Sequence, residues 1–499
     1  MRDRRAQNGR SLVVCLLGLV TLLTGCKVGP NYQRPDTLAP PDYKEARTAE
    51  TGAAGAVLPP MNPAGGTWTP ASPSDGMLRG KWWEVYQDPQ LNALEEQIAP
   101  ENQNLRAALE AYLSARGQVR VARADFYPTL SVTPAVNRTQ VSSHRPLITN
   151  STKTGYSDFQ LEGQASWEPD LWGRVRRNVE AAHESAQASA ADLANLGLSL
   201  HAELALDYFE LRGLDSDARL LAKAVSDYQH QLDLNQELVK GGLATEVVVA
   251  QALTQLETTR AHLVDVNEAR SEYEHAIATL INKEARDVSL APAPLDLALP
   301  KIPLGVPSQL IERRPDIAAA ERRAAAANAQ IGIAISAFYP NVVLGGGGGF
   351  ESTNAGTLIQ GPSALWSLGA QATELLFDAG KRHAITDQAR HNYEAQASTY
   401  RASVLGAFNE VEDRLSDLRV LNEESTAEQR AVAAAQHSLD LSNQRYKGGA
   451  TSYLEVLIAD STLLTNQRTS TDLVTRQFVA SVGLVRALGG GWDTTQMPH

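Results

Sequence analysis

The chain has 499 residues, 43% hydrophobic and only 6% aromatic, which is enough for a large core or for two copies of one unit. Its net charge of -12, with no basic stripe, excludes a nucleic-acid-binding surface. Mean hydropathy is -0.26, and beyond residue 25 no run reaches the roughly 18 consecutive apolar residues of a spanning helix. If the chain is an exported lipoprotein, it either sits on a membrane or crosses one as a β-barrel, and composition alone does not choose.

Arg2, Arg4, Arg5 and Arg10 precede the apolar run Leu12 to Leu23. That run is short for a span, and a basic start with a short apolar core reads as an export signal over residues 1–25. It ends in Leu23-Thr24-Gly25-Cys26, which resembles the lipobox of bacterial lipoproteins. The resemblance implies that Cys26 becomes the mature N-terminus and carries covalent lipid, a diacylglycerol and an N-acyl chain. Each buried CH₂ of such chains adds about 0.8 kcal/mol of membrane affinity. Cys15 lies in the discarded segment, so no disulfide is expected. Lys27 follows Cys26, in place of the aspartate that marks inner-membrane retention in many Gram-negative lipoproteins, and this favours the outer membrane.

Proline placement divides the rest. Residues 26–80 are rich in Pro, Gly, Ala and Thr and read as a lipidated, extended lead segment; Trp82, Trp83 and Tyr86 begin a structured part. No proline falls between Pro169 and Pro292, or between Pro362 and Pro498. A proline inside a helix costs about 3 kcal/mol or more, so these zones predict long helices. Leu193, Leu196, Leu200, Leu204, Tyr208 and Leu211 recur at helical spacing in the first zone, and Val404, Phe408, Val411, Leu415 and Leu418 in the second. The pattern predicts one helix from Arg174 to Lys240, about 100 Å at about 1.5 Å per residue. Each zone is interrupted by the same turn, Lys240-Gly241-Gly242 and Lys447-Gly448-Gly449. The chain is thus read as an internal tandem repeat: 81–290, a proline-rich linker 291–310, 311–492, and a tail 493–499.

Strand patterns stand ahead of each long helix. Phe159 to Trp167 alternate apolar and polar, as do Trp366 to Thr373, with upstream partners Thr129 to Gln140 and Asn341 to Thr353. Each repeat thus supplies one hairpin with strands of bilayer-crossing length, joined by polar loops 141–156 and 354–363. Four strands cannot close on themselves, and lipid does not tolerate open edges. Other copies of the chain must complete the wall, and three copies would supply about twelve strands. The expected fold class is an α+β membrane protein: a trimeric 12-stranded transmembrane β-barrel, four strands per chain, continuous with a long periplasmic α-helical coiled-coil barrel.

Several stretches resemble the outer-membrane factors of tripartite efflux systems, in particular the NodT-type outer membrane efflux lipoproteins. They are Cys26-Lys27-Val28-Gly29-Pro30-Asn31-Tyr32, Trp82-Trp83 with Asp88-Pro89-Gln90-Leu91, Arg313-Arg314-Pro315-Asp316-Ile317 with Phe338-Tyr339-Pro340, and Ala487-Leu488-Gly489-Gly490-Gly491-Trp492. The resemblance implies a homotrimeric exit duct without enzymatic chemistry. It would be lipid-anchored in the cell outer membrane, extend into the periplasm, and conduct small molecules passively. Its implied partners are a periplasmic adaptor (membrane fusion) protein and an inner-membrane transporter of the resistance–nodulation–division (RND) type.

The resemblance further places a periplasmic gate at Tyr446, Leu454, Glu455, Ile458 and Asp460, and adaptor docking at the tips around Gly241, Gly242, Gly448 and Gly449. Glu455 would form a ring of three like charges about the axis, whereas Leu454 and Ile458, four apart, share a helix face that could close by dewetting. Ordinary helix core is the competing reading for these two. No helix carries the i, i+4 histidine pair of a metal site, and Gly345 to Gly349 lack the Gly-Lys-Ser/Thr ending of a phosphate loop. A structural or adhesive surface lipoprotein with a coiled-coil spacer is the alternative function.

Overall fold

The computed structural model describes residues 27–37, 40, 43–45, 80–142, 144, 155–300, 302 and 313–492. The export signal, Cys26, positions 46–79, linker residues 303–310 and the tail lie outside the described residues.

After a 3₁₀ turn at Trp82–Tyr86, helix α1 spans Pro89–Glu101 and α2 spans Gln103–Ala124. Strands β1 (Thr129–Gln140) and β2 (Gly155–Trp167) lead into α3 (Arg174–Lys240, 67 residues) and α4 (Glu246–Leu280, 35 residues). The second half repeats this order: α5 (Pro315–Ser336), β3 (Asn341–Ser352), β4 (Ala364–Thr373), α6 (Lys381–Lys447, again 67 residues) and α7 (Tyr453–Ala487, again 35). Equal helix lengths in the two halves follow from the two proline-free zones and from one turn sequence used twice.

Two departures from the alternation pattern have plain causes. β2 begins at Gly155 rather than Phe159, because Gly155–Asp158 pair with Asn137–Gln140 through the backbone, which side-chain alternation does not report. The polar loop 354–363 is not irregular throughout: it holds short 3₁₀ turns at Ala355–Thr357 and Gly361–Ser363, the first capped by Asn354.

The chain forms two compact units. One comprises Met1–Pro35, Ala111–Ser189 and Ala320–Tyr400; the other comprises Asp36–Glu110, Ala190–Ala319 and Arg401–His499. These units cut across the two sequence repeats, because the hairpins of both repeats share one sheet and the long helices of both share one core. The first unit holds a four-stranded antiparallel sheet in the order β1-β2-β3-β4, where β2 and β3 join the two repeats.

The second unit is organised by an aromatic core. Trp82, Trp83 and Tyr86, with Leu91, Leu94 and Ile98 of α1, pack on Tyr208, Phe209 and Leu211 of α3, Ile277 of α4 and Phe478, Val482 and Val485 of α7. Phe209 stands 4.8 Å from Tyr86 and 4.9 Å from Phe478, ring centre to ring centre. Aromatic pairs of this geometry add about 0.5–1.5 kcal/mol each beyond area burial. Asp88 caps α1, accepting from the backbone N–H of Gln90 and Leu91 and from the Tyr208 hydroxyl at 2.6 Å. The Trp-Trp and Asp-Pro-Gln-Leu landmarks of the sequence are therefore one packed element.

A candidate channel wall and helical tip

Directly paired residues of an antiparallel sheet point to the same face, so the register sorts every strand residue. One face carries Leu130, Val132, Pro134 and Val136 of β1, paired with Ala165, Gly163, Leu161 and Phe159 of β2. It continues through Leu344, Gly346, Gly348 and Phe350 of β3 to Ala370, Leu368, Trp366 and Ala364 of β4. The opposite face carries Ser131, Thr133, Asn137, Asp158, Gln160, Glu162, Gln164, Ser367 and Gln371. Leu130, Trp366 and Leu368 are 80–83% exposed. An apolar face so exposed, opposite a polar face, suits a wall with lipid on one side and water on the other. Among the described residues, β1 and β4 each keep one edge unpaired. The glycine run 345–349 lies inside β3, where it pairs with β2 and is no phosphate loop.

The tip is built twice in the same way. At the end of α3, Leu243 N–H reaches Leu238 C=O at 2.8 Å and Gly242 N–H reaches Val239 C=O at 3.0 Å; at the end of α6, Ala450 N–H reaches Arg445 C=O and Gly449 N–H reaches Tyr446 C=O, both at 2.9 Å. This double bond pattern closes a helix only with a left-handed residue after its last turn, and Gly242 (φ 73°) and Gly449 (φ 70°) supply it. Gly241 and Gly448 do not share that requirement. A side chain there would meet only ordinary contacts, at 3.5 Å and 3.4 Å.

Below the turns, Tyr228 and Leu232 of α3, Ala252 and Leu256 of α4, and Tyr453 and Val456 of α7 form a small core. Tyr446 packs half-buried against it, its ring 5.7 Å from Tyr453. Leu454 and Ile458 do not join it: they are 46% and 58% exposed on one face of α7. Ordinary helix core within the chain is therefore excluded for this pair.

The acidic residues depart from expectation. Within the chain, the Glu455 carboxylate lies 3.6 Å from the Arg445 guanidinium. Asp460 turns inward to the Tyr228 hydroxyl, where burial pushes its carboxyl up, and is not on the Leu454–Ile458 face. The Asp460 placement follows from the helix geometry: on α7, positions 453, 456 and 460 point to the core, while 454 and 458 do not.

The sequence pattern missed several charged groups that organise the fold. Glu95 is fully buried; its Oε2 is 2.7 Å from His201 Nδ1, and Trp83 stacks on the imidazole at 4.5 Å. Burial pushes the Glu95 carboxyl up to about 9 and the His201 ring down to about 4, which favours a neutral pair near pH 7. Arg212 and Arg270 grip Asp215 at 2.7 Å and 2.6 Å and donate to backbone carbonyls of Ala291 and Leu290, fastening the start of the linker. Arg314 of the Arg-Arg-Pro-Asp motif donates to Asp316 and to Glu410, which also accepts from Arg486. A charged residue falling within an apolar helical stripe, as Glu95 does between Leu91, Leu94 and Ile98, is the signal that could have found them.

Comparison with known proteins accords with this geometry. A family model described as outer membrane efflux protein matches residues 94–283 and 306–490. The pyoverdine export outer membrane protein OpmQ of Pseudomonas aeruginosa is 30% identical over 452 residues, covering 89% of this chain and 95% of that protein. The cation efflux system protein CusC of Escherichia coli O157:H7 is 27% identical over 472 residues, covering 94% and 97%. The solved outer-membrane channel OprN superimposes with a TM-score of 0.82 at 28% identity, over 94% of this chain and 100% of that one. The fold class is accordingly the trimeric, four-strands-per-chain barrel continuous with a helical barrel, located in the outer membrane and reaching into the periplasm, and the reading as an adhesive spacer finds no support. This chain belongs to the outer membrane efflux protein family and is the outer-membrane channel of a tripartite efflux system.

Proposed function

We propose that this duct receives cargo from an inner-membrane RND-type transporter through a periplasmic adaptor that docks on the turns at 239–247 and 446–454. It is held in the outer membrane by its barrel and by lipid on Cys26. It closes at an apolar collar made by Leu454 and Ile458 of each protomer, which narrows the lumen until water leaves it. Glu455, faced by Arg445, contributes little net charge to that gate, and Tyr446 and Asp460 brace α7 from the core side. Relatives named for pyoverdine export and for cation efflux share this architecture, so cargo selection falls to the transporter.

The observation that carries the docking reading is the pair Gly241 and Gly448. The turn needs only the second glycine of each pair, and the first has room for a side chain, so bare backbone at both tips suits the close approach of another protein's helix. A photo-crosslinking amino acid at Leu243 or Ala450, introduced in living cells, is expected to capture an adaptor protein identified by mass spectrometry. Capture of that adaptor from Val264 on α4, with none from either tip, would overturn the assignment.

A further inference from the structure

The first unit contains a built site whose occupant is the chain's own N-terminal segment. Arg177 of α3 is fully buried, and most of its hydrogen bonds leave its own helix. Its guanidinium donates to Val28 C=O at 3.1 Å, Gly29 C=O at 3.0 Å and Asn31 Oδ1 at 3.2 Å, and to Glu180 at 3.0 Å. Two further buried polar groups on α5 serve the same segment. Asn328, 4% exposed, donates to Pro30 C=O at 3.1 Å, and Glu321, 2% exposed, accepts from the Tyr32 hydroxyl at 2.8 Å. As the segment advances from residue 29 to 32, its contacts step back along α5 from 332 to 328 to 321, so it runs antiparallel to that helix.

The fit leaves no slack. Gly29 has φ 88°, and a side chain there would stand 2.5 Å from Gly332 Cα; a side chain on Gly332 would stand 2.7 Å from Arg177 Nε. Strap, helix and arginine are stacked in contact. At the upstream end, Val28 N–H donates to Trp172 C=O at 3.1 Å, and Lys27 pairs with Glu180 at 2.7 Å. Trp172 lies between the end of β2 and the start of α3. Its indole donates to Pro340 C=O at 2.8 Å and stacks at 4.9 Å on Tyr339, just before β3. The β2–α3 and α5–β3 junctions thus meet where the strap begins, and an aromatic pair marks the level, as at membrane–water interfaces.

We infer that residues 28–32 are a docked strap, that Arg177 is its positioning residue, and that the strap delivers the modified N-terminus to the foot of the strands. The inference rests on the reading of Cys26 as the lipid-bearing N-terminus. A lipid two residues upstream of Val28 is then fixed to the body at the membrane boundary and does not trail on a free tether. The three buried polar groups read three backbone carbonyls, the Asn31 side chain and the Tyr32 hydroxyl, so the recognition depends on the strap's path and on two of its side chains.

The test is hydrogen–deuterium exchange, read by mass spectrometry, on the full-length protein purified in detergent. In the wild type, the peptide containing residues 27–34 is expected to exchange at least about tenfold more slowly than an unstructured peptide. Arg177→Met should bring it to the unstructured rate while peptides of α3 and α5 stay protected, and Arg177→Lys, which keeps a charge and one donor, should restore part of the protection. Gly29→Ala, which leaves Arg177 in place, should lift the strap independently. Fast exchange in the wild type, or protection that survives Arg177→Met, overturns the inference. The mass of the N-terminal peptide reports lipidation separately: an unacylated terminus with a protected strap sinks the lipid reading alone, and an acylated terminus with an unprotected strap sinks the positioning role alone.

Discussion

Replacing Glu95 by glutamine tests the electrostatics of the aromatic core. In the folded chain the fully buried carboxyl titrates near 9, against an ordinary value of 4.5. Between those values the folded state holds a proton that the unfolded state has released. The Glu95 contribution to stability is therefore complete below pH 4.5 and is lost as pH rises through 9. The cost at pH 7 is about 3.5 kcal/mol, from the 2.5 pH steps between 4.5 and 7 at about 1.4 kcal/mol each. His201, lowered to about 4 from 6.5, has the opposite slope, but only below pH 6.5. Above pH 6.5 His201 no longer opposes the Glu95 slope of about 1.4 kcal/mol per pH unit, and above pH 7 Asp207, which burial raises to about 7, no longer adds to it. Glutamine keeps the shape, can hydrogen-bond to His201 Nδ1 and cannot ionise. Thermal unfolding of helical circular dichroism should show the wild-type Tm falling from pH 7.5 to 8.5, while the Glu95→Gln protein stays nearly level and unfolds at higher temperature at pH 8.5. Parallel falls in both proteins would refute the neutral pair. So would a Gln variant less stable than wild type at every pH, the behaviour of a buried imidazolium stripped of its counter-charge.

Other perturbations have equally definite outcomes. Gly449→Ala should destabilise the tip by about 1 kcal/mol, because a left-handed residue gains a Cβ, while Gly448→Ala should cost little; local exchange rates at 444–452 distinguish them. Burial alone would raise the Glu410 carboxyl, but Arg314 and Arg486 outweigh it and hold it low. Its contribution is present above the ordinary carboxylate value and lost as pH falls through the lowered one, so wild type and Glu410→Gln should differ in Tm at pH 7 and converge in acid. Leu454→Asp and Ile458→Asp should each widen and wet the collar, raising single-channel conductance in planar bilayers severalfold. Asp460→Asn, on the core side, should leave conductance near wild type.

The repeat, both 67-residue helices and all four strands were legible because their signals are local: proline exclusion, a period of two, and a turn that only glycine closes. Face assignment in the sheet was equally legible, since alternation and register carry the same information. The tip chemistry was less so. Spacing put Leu454, Glu455, Ile458 and Asp460 on one short stretch of helix, but which side faces the core depends on Tyr228, far away in sequence. Arg177, Glu95 and Arg212 were missed for a related reason: a charge within a helix reads as solvated until its distant partner is known. The tight stack of Gly29, Gly332 and Arg177 joins three positions that no pattern links.

The central claim is that one chain forms part of a conducting wall completed by other copies. Conductance of the purified protein reconstituted in a planar lipid bilayer tests it most directly. Discrete, stepwise openings from an assembly of three chains are expected. A monomeric preparation that leaves the bilayer silent would contradict it.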